Sequence, residues 1–225
     1  MGMTKSVLEV DSVQKEYDGK IIISDVYLKC ETGDIIGILG RNGSGKSTLL
    51  KIIFGIVAAD FKFVRVNDVV KSKTSDLLKE ISYLPQDNFI PNSFSVIKTI
   101  ALAIANDKVL EFCSDEMIQS LLKKKIKHLS GGELRYLELK LVLSNNSKFV
   151  LLDEPYNGLS PIMIEKINQL ITAMSTVKGI LITDHNYQNV IKVSTRLALM
   201  KEGKLYHLKD ENELVEKGYL KAGMI

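Results

Sequence analysis

Apolar and polar residues alternate over Val7 to Val10 and Ile21 to Leu28, the period of half-buried strands at an antiparallel edge. From Asp34 the alternation gives way to unbroken apolar runs. Ile35-Ile36-Gly37-Ile38-Leu39 has strand length and no polar face, which predicts a strand covered on both sides in a parallel sheet. It runs into Gly40-Arg41-Asn42-Gly43-Ser44-Gly45 and a helical stretch from Lys46 to Phe54, closed by Gly55. The same strand-then-helix order returns with Phe149 to Leu152 before a helix near Ile162 to Met174, and with Gly179 to Thr183 before Tyr187 to Val193. Such units predict an α/β fold with a mainly parallel sheet and an N-terminal antiparallel β edge. Between Gln86 and Leu129 the strand signal fades, and amphipathic helices near Ser95 to Ala105 and Ser114 to Lys124 predict a small helical insert. Arg196 to Met200 and Lys204 to Leu208, joined by Lys201-Glu202-Gly203, predict a terminal hairpin, with a short helix from Glu211 to Lys217 after it.

Composition narrows this picture without changing it. At 225 residues, 45% hydrophobic and 25% charged, the chain fits one large globular domain and is too short for two independent enzymes. A formal charge of +3, scattered along the sequence, argues against a nucleic-acid partner. The densest basic run, Lys123-Lys124-Lys125, reads as a solvated helix end. Cys30 and Cys113 stand far apart with no CxxC, so neither a zinc site nor a disulfide is expected and a reducing cytosol is the default. No apolar run approaches the roughly 20 residues of a spanning helix, and Met1 to Lys5 has no apolar segment of a leader behind it.

The strongest chemical signal is Gly40-Arg41-Asn42-Gly43-Ser44-Gly45-Lys46-Ser47-Thr48, which matches GxxxxGK[ST] between a buried strand and a helix. Glycines there let backbone N–H groups converge on phosphate oxygens at the positive end of the helix. Lys46 supplies charge for the β and γ phosphates, and Ser47 offers a hydroxyl to Mg²⁺. Phe149-Val150-Leu151-Leu152-Asp153-Glu154-Pro155 ends in two acids at the carboxyl edge of the sheet, where α/β ligands bind. Strand alternation separates their expected roles: Asp153 holds Mg²⁺ through water, and Glu154 polarises the attacking water. His128-Leu129-Ser130-Gly131-Gly132-Glu133 precedes apolar Leu134, Leu137, Leu141 and Val142. Ser130 and Glu133 form a capping box for an amphipathic helix, and the same helix N-terminus is also an anion site.

Leu129-Ser130-Gly131-Gly132-Glu133, downstream of the phosphate loop and upstream of Leu151-Leu152-Asp153-Glu154-Pro155, resembles the ATP-binding subunits of ABC transporters from about Tyr17 to Gly203. The resemblance implies a P-loop NTPase core, about residues 1–88 and 149–225, with a helical subdomain at about 89–148. It also implies that Tyr17 stacks on adenine, that Gln86 senses Mg²⁺ and faces the transmembrane partner, and that His185, in Thr183-Asp184-His185-Asn186, contacts the γ-phosphate. Two such subunits would close head to tail on ATP, with Ser130, Gly131, Gly132 and Glu133 acting in trans on the partner's nucleotide. Mg²⁺ would be held by Ser47, Gln86 and Asp153. The implied partners are a second ATP-binding subunit and transmembrane permease subunits, and the implied location is the cytoplasmic face of the cell membrane.

Three departures qualify the resemblance. Gly158-Leu159-Ser160-Pro161 stands where the family often has a serine or alanine, a leucine and an aspartate, leaving that loop without its usual cross-dimer carboxylate. Together with Thr183-Asp184-His185-Asn186, it resembles the subgroup serving branched-chain amino-acid uptake and lipopolysaccharide export. Leu137-Glu138-Leu139-Lys140-Leu141 is bulkier than the family's small residues and arginines, and the stretch from Gln86 to the signature is short. The alternative function is a soluble ABC-type ATPase without a permease, as in iron–sulfur assembly. A DNA-repair or chromosome ATPase would need a long coiled coil, and translation-associated members carry two ATP domains. The short tail after the hairpin leaves no room for a regulatory domain, and cargo is not written in these residues.

Overall fold

In chain order the elements are β1 (Val7–Tyr17), β2 (Lys20–Glu31), β3 (Ile35–Leu39), α1 (Lys46–Phe54), β4 (Phe61–Val66), β5 (Val69–Val70), α2 (Thr74–Glu80) and β6 (Ile81–Leu84). Then follow α3 (Val96–Ala103), α4 (Val109–Cys113), α5 (Glu116–Leu121), α6 (Gly131–Ser144), β7 (Phe149–Asp153), α7 (Pro161–Ser175) and β8 (Gly179–Thr183). The series ends with α8 (Tyr187–Val193), β9 (Arg196–Lys201), β10 (Lys204–Leu208) and α9 (Glu213–Glu216). This is a computed structural model that describes residues 5–221 and residue 223; Met1 to Thr4, read above as lacking a leader, lie outside the described residues.

The unbroken apolar runs are the centre of a six-stranded sheet ordered β10-β9-β3-β8-β7-β6. Every residue of β3, β7 and β8 is buried, as a strand covered on both faces requires. All pairings are parallel except β10 with β9, the expected hairpin. Alternate residues feed two cores. Ile36, Ile38, Leu151 and Leu181 pack with Leu49, Leu50, Ile52 and Ile53 of α1 and with the inner face of the β1–β2 sheet. Ile35, Leu39, Val150, Leu152, Ile180 and Ile182 pack with residues of α6, α7, α8 and the insert.

A second, antiparallel sheet is ordered β2-β1-β4-β5. Its first two strands run well past the expected Val10 and Leu28, because bulges interrupt their alternation. The β1–β2 register shifts between Val10 and Val13 and twice more before Glu16, and Ser12 and Asp25 take positive φ of 52° and 50°. The short α2 and α4 carry no sequence signal, since each buries a single side chain, Leu77 and Phe112.

Helix α6 departs from the amphipathic expectation. Every residue from Leu134 to Leu143 is buried, including Arg135, Glu138 and Lys140. Its charged side chains are turned to internal partners: Lys140 pairs with Asp115 at 2.7 Å, and Tyr136 donates to the same carboxylate at 2.7 Å. Burial and that hydrogen bond push the Tyr136 phenol well above its usual range. The run at 123–125 is not purely solvated either, because Lys124 bonds Glu133 at 2.8 Å. Cys30 and Cys113 are free thiols, and burial raises the pKa of Cys30 far above the thiol norm. Among the described residues no helix is long and apolar enough to cross a membrane.

The two sheets meet closely at Gly179, the first residue of β8. A Cβ there would fall 2.8 Å from Cys30 Sγ, 2.8 Å from Phe149 Cδ1 and 2.9 Å from the Glu31 carbonyl oxygen. Gly179→Ala should therefore lower stability by about 1–3 kcal/mol through overpacking. The check is a reduced denaturant midpoint with an unchanged slope; an unchanged midpoint would mean that the sheets separate without cost.

Candidate functional site

The phosphate loop turns between the end of β3 and the start of α1. At Gly40 a Cβ would lie 2.5 Å from the Met200 carbonyl and 2.7 Å from Ser44 Oγ, so the loop can pass here only without a side chain. Gly45 is the N-cap of α1 with φ 102°, and no side chain caps the helix. The first N–H groups of α1 are thus left for an external acceptor at the positive end of the dipole. Ser44 Oγ is buried without a partner beside them. Lys46, 6% exposed, donates from Nζ to the carbonyls of Gly40 at 2.7 Å and Arg41 at 3.2 Å. Burial lowers its ammonium pKa, while Glu154, Asp153 and Asp184 oppose that fall. An unpartnered hydroxyl, an uncapped helix and a buried ammonium suit a polyphosphate.

Asp153 is 1% exposed and is held by three hydroxyls. Ser47 Oγ and Thr183 Oγ1 each donate to Oδ1 at 2.9 Å, and Tyr83 OH donates to Oδ2 at 2.8 Å. Burial, reinforced by the Asp153 charge, drives the Tyr83 phenol far above its usual pKa, so it stays a donor. Ser47 and Asp153 form an all-oxygen pair of the kind Mg²⁺ takes together with phosphates and water. Among the described residues no group of three or more His, Cys, Asp or Glu side chains could hold a metal by itself.

Glu154 takes its direction from its backbone and not from strand alternation. Strand β7 ends at Asp153, and Glu154 has φ 49° in the left-handed region. Its Oε2 accepts from Gln86 Nε2 at 2.9 Å, and His185 Nδ1 lies 3.7 Å from the same oxygen. Asp184, fully buried, accepts from the backbone N–H of Tyr156 at 2.9 Å and of Asn186 at 2.8 Å, which fixes the turn carrying His185.

These elements enclose a cleft of ≈ 610 Å³ lined by Tyr17, Ile22, the loop from Asn42 to Thr48, Gln86, Glu154 and His185. Tyr17 sits at the end of β1, 46% exposed, with Lys15 Nζ 4.7 Å from its ring centroid. The fold thus brings Tyr17, Lys46, Ser47, Gln86, Glu154 and His185 to one cleft, with Asp153 directly behind Ser47. Sequence patterns alone did not reveal Tyr83, Thr183 and Asp184, whose contacts depend on register between distant segments. Asp153 opposite Thr183 is the one pairing that aligned strands would have suggested.

Residues 130–133 do not line this cleft. The capping box is formed as expected, with Glu133 N–H donating to Ser130 Oγ at 3.2 Å and Ser130 N–H donating to Glu133 Oε2 at 2.8 Å. Lys124 and the box together lower the Glu133 pKa. Ser130 and Gly131 are exposed. At the atypical loop, Ser160 Oγ caps α7 by accepting from Met163 N–H at 3.4 Å, and Pro161 occupies its first turn.

A family model described as ABC transporter matches residues 23–157. The lipopolysaccharide export system ATP-binding protein LptB of Escherichia coli K12 is 31% identical over 96% of this chain and 95% of its own. The protein of the same name from Haemophilus influenzae is 32% identical over 89% of each. Among solved structures, an ATP-binding subunit of an ABC transporter superposes with TM-score 0.83 at 17% identity, covering 96% of this chain and 95% of that one. A bacterial Atm1-family ABC exporter with ATP bound gives TM-score 0.82 at 17% identity over 97% of this chain and 41% of its own. The chain belongs to the ABC transporter family as one of its ATP-binding, ATP-hydrolysing members.

Proposed function

We propose that this ATPase powers a membrane transporter by closing on a second ATP-binding chain, identical or similar, and that permease subunits dock near Gln86. The observation that carries the reading is the convergence of Gln86 Nε2 and His185 Nδ1 on one carboxylate oxygen of Glu154 at the mouth of the phosphate cleft. Glu154 is the general base that orients the attacking water, Gln86 holds its carboxylate, and His185 stands beside it, both facing the γ-phosphate side of the cleft. Lys46 and the loop N–H groups neutralise the β and γ phosphates, and Tyr17 stacks on adenine. Ser47 and Asp153, with Gln86, supply the protein oxygens for Mg²⁺, which when bound offsets phosphate charge. The single domain divides into a core at about 1–88 and 149–225 and a helical subdomain at about 89–148.

The distance between the α6 N-terminus and the cleft of its own chain supports the paired chain. Ser130 and Gly131 are exposed and stand apart from the cleft of their own chain, so the anion site at the start of α6 is open to a nucleotide held by another. The full-length likeness to lipopolysaccharide export ATP-binding proteins supports a place in that subgroup and, with it, peripheral attachment at the cytoplasmic face of the membrane.

Glu154→Gln should keep ATP binding and accumulate an ATP-bound dimer while turnover falls by about 10²-fold or more. An undiminished hydrolysis rate would remove Glu154 from the role of base. Affinity capture of this variant with Mg·ATP from gently solubilised source cells should recover a stoichiometric polytopic membrane protein; soluble partners alone would favour a permease-free ATPase. Lys46→Ala should weaken nucleotide binding by about tenfold or more, read by equilibrium titration. Chelating divalent cations should stop turnover, and added Mg²⁺ should restore it; chelator-resistant hydrolysis would exclude the Ser47–Asp153 cation site.

A further inference from the structure

Two charged side chains of α6 sit in the interior with no part in the chemistry described so far. Arg135 is 4% exposed and Glu138 is 0% exposed, one helical turn apart, amid Leu134, Leu137, Leu139 and Leu141. Their ion pair is loose, at 3.6 Å from Arg135 Nη1 to Glu138 Oε2, and that oxygen has no hydrogen-bond partner. A buried pair of this kind is a poor source of stability, since desolvation offsets its attraction. What the two groups touch is more informative. Arg135 Nη1 donates to the Pro85 carbonyl at 2.7 Å, and Nη2 donates to the carbonyls of Asp153 and Glu154, both at 3.0 Å. Glu138 Oε1 accepts from the backbone N–H groups of Phe89 at 2.7 Å and Ile90 at 3.3 Å.

The pair thus grips the chain on both sides of Gln86 and at the same time the backbone of Glu154, the residue whose left-handed φ aims its carboxylate. We propose that Arg135 and Glu138 are positioning residues for turnover, holding the Gln86 segment and the Glu154 backbone in one frame so that the two side chains stay within hydrogen-bond reach. The inference rests on the reading of Glu154 as the base. A guanidinium suits the task because its planar fork reaches three carbonyls at once, which a lysine ammonium in the same place cannot span. Errors of about 1 Å in such a frame are enough to slow a reaction severely without touching the bound substrate's other contacts.

The test uses the purified full-length chain and compares Arg135→Lys, Glu138→Gln and Glu154→Gln with the native sequence. Thermal unfolding, the Kd for Mg·ATP by displacement of a fluorescent ATP analogue, and steady-state kcat and KM are measured for each. Arg135→Lys and Glu138→Gln should remain folded with Kd and KM within about threefold of native, while kcat drops by about tenfold or more. Combining Arg135→Lys with Gln86→Ala should lower kcat by less than the product of the separate effects, because both act through one frame. A folded Arg135→Lys or Glu138→Gln protein with kcat within about twofold of native overturns the proposal, and so does unfolding of both, which would make the pair structural. The reference variant separates the two readings. If Glu154→Gln abolishes turnover while the positioning variants do not reduce it, only this inference fails; if Glu154→Gln hydrolyses normally, the assignment beneath it fails.

Discussion

A carboxylate sealed from water must find its hydrogen bonds inside the protein, and Asp153 finds three. The donors come from different parts of the chain: Ser47 from the start of α1, Tyr83 from β6 and Thr183 from the end of β8. Satisfying one buried charge therefore locks the phosphate-loop helix to the carboxyl edge of the central sheet. The glycine loop, whose own backbone is permissive, gains its fixed position from this junction and from the close approach of Met200 behind Gly40.

Two helix N-termini in the molecule are finished in opposite ways. Helix α1 begins at a glycine that offers no cap, beside a buried, unpartnered serine hydroxyl, so its positive end is directed at a ligand. Helix α6 begins with a complete capping box that satisfies its own first turn while leaving Ser130 and Gly131 at the surface. One terminus is left without an acceptor of its own, and the other is complete by itself. Between them, Glu154 is held in a backbone conformation that costs a non-glycine residue about 1–3 kcal/mol, supported by Arg135 at its carbonyl.

Much of this was legible because the signals were local. The strands Ile35–Leu39 and Gly179–Thr183 and the helices Lys46–Phe54 and Tyr187–Val193 have the bounds that their apolar runs and flanking glycines or polar turns predict. The first strands were read too short since bulges at Ser12 and Asp25 break the period of two on which strand reading depends. Helix α6 was read as amphipathic because its charges look like a solvent face; their partners, Pro85, Phe89, Asp115 and Glu154, come from distant segments that a linear pattern cannot display. The same reason hid Tyr83 and Thr183, which lie 70 and 30 residues from Asp153. Motif spacing, by contrast, named Lys46, Ser47, Asp153 and Glu154, the family resemblance added Gln86 and His185, and all six lie in or directly behind one cleft.

The buried charges of α6 also limit how the sequence can drift. Losing Arg135 alone would strand Glu138 in the interior, and losing Asp115 would strand Lys140 and leave the Tyr136 hydroxyl without its acceptor. Such positions change safely only together, one substitution licensing the next. Descendants of this chain should therefore inherit 135 with 138, and 115 with 136 and 140, as linked sets, while the leucines between them are free to exchange for other apolar residues of similar volume.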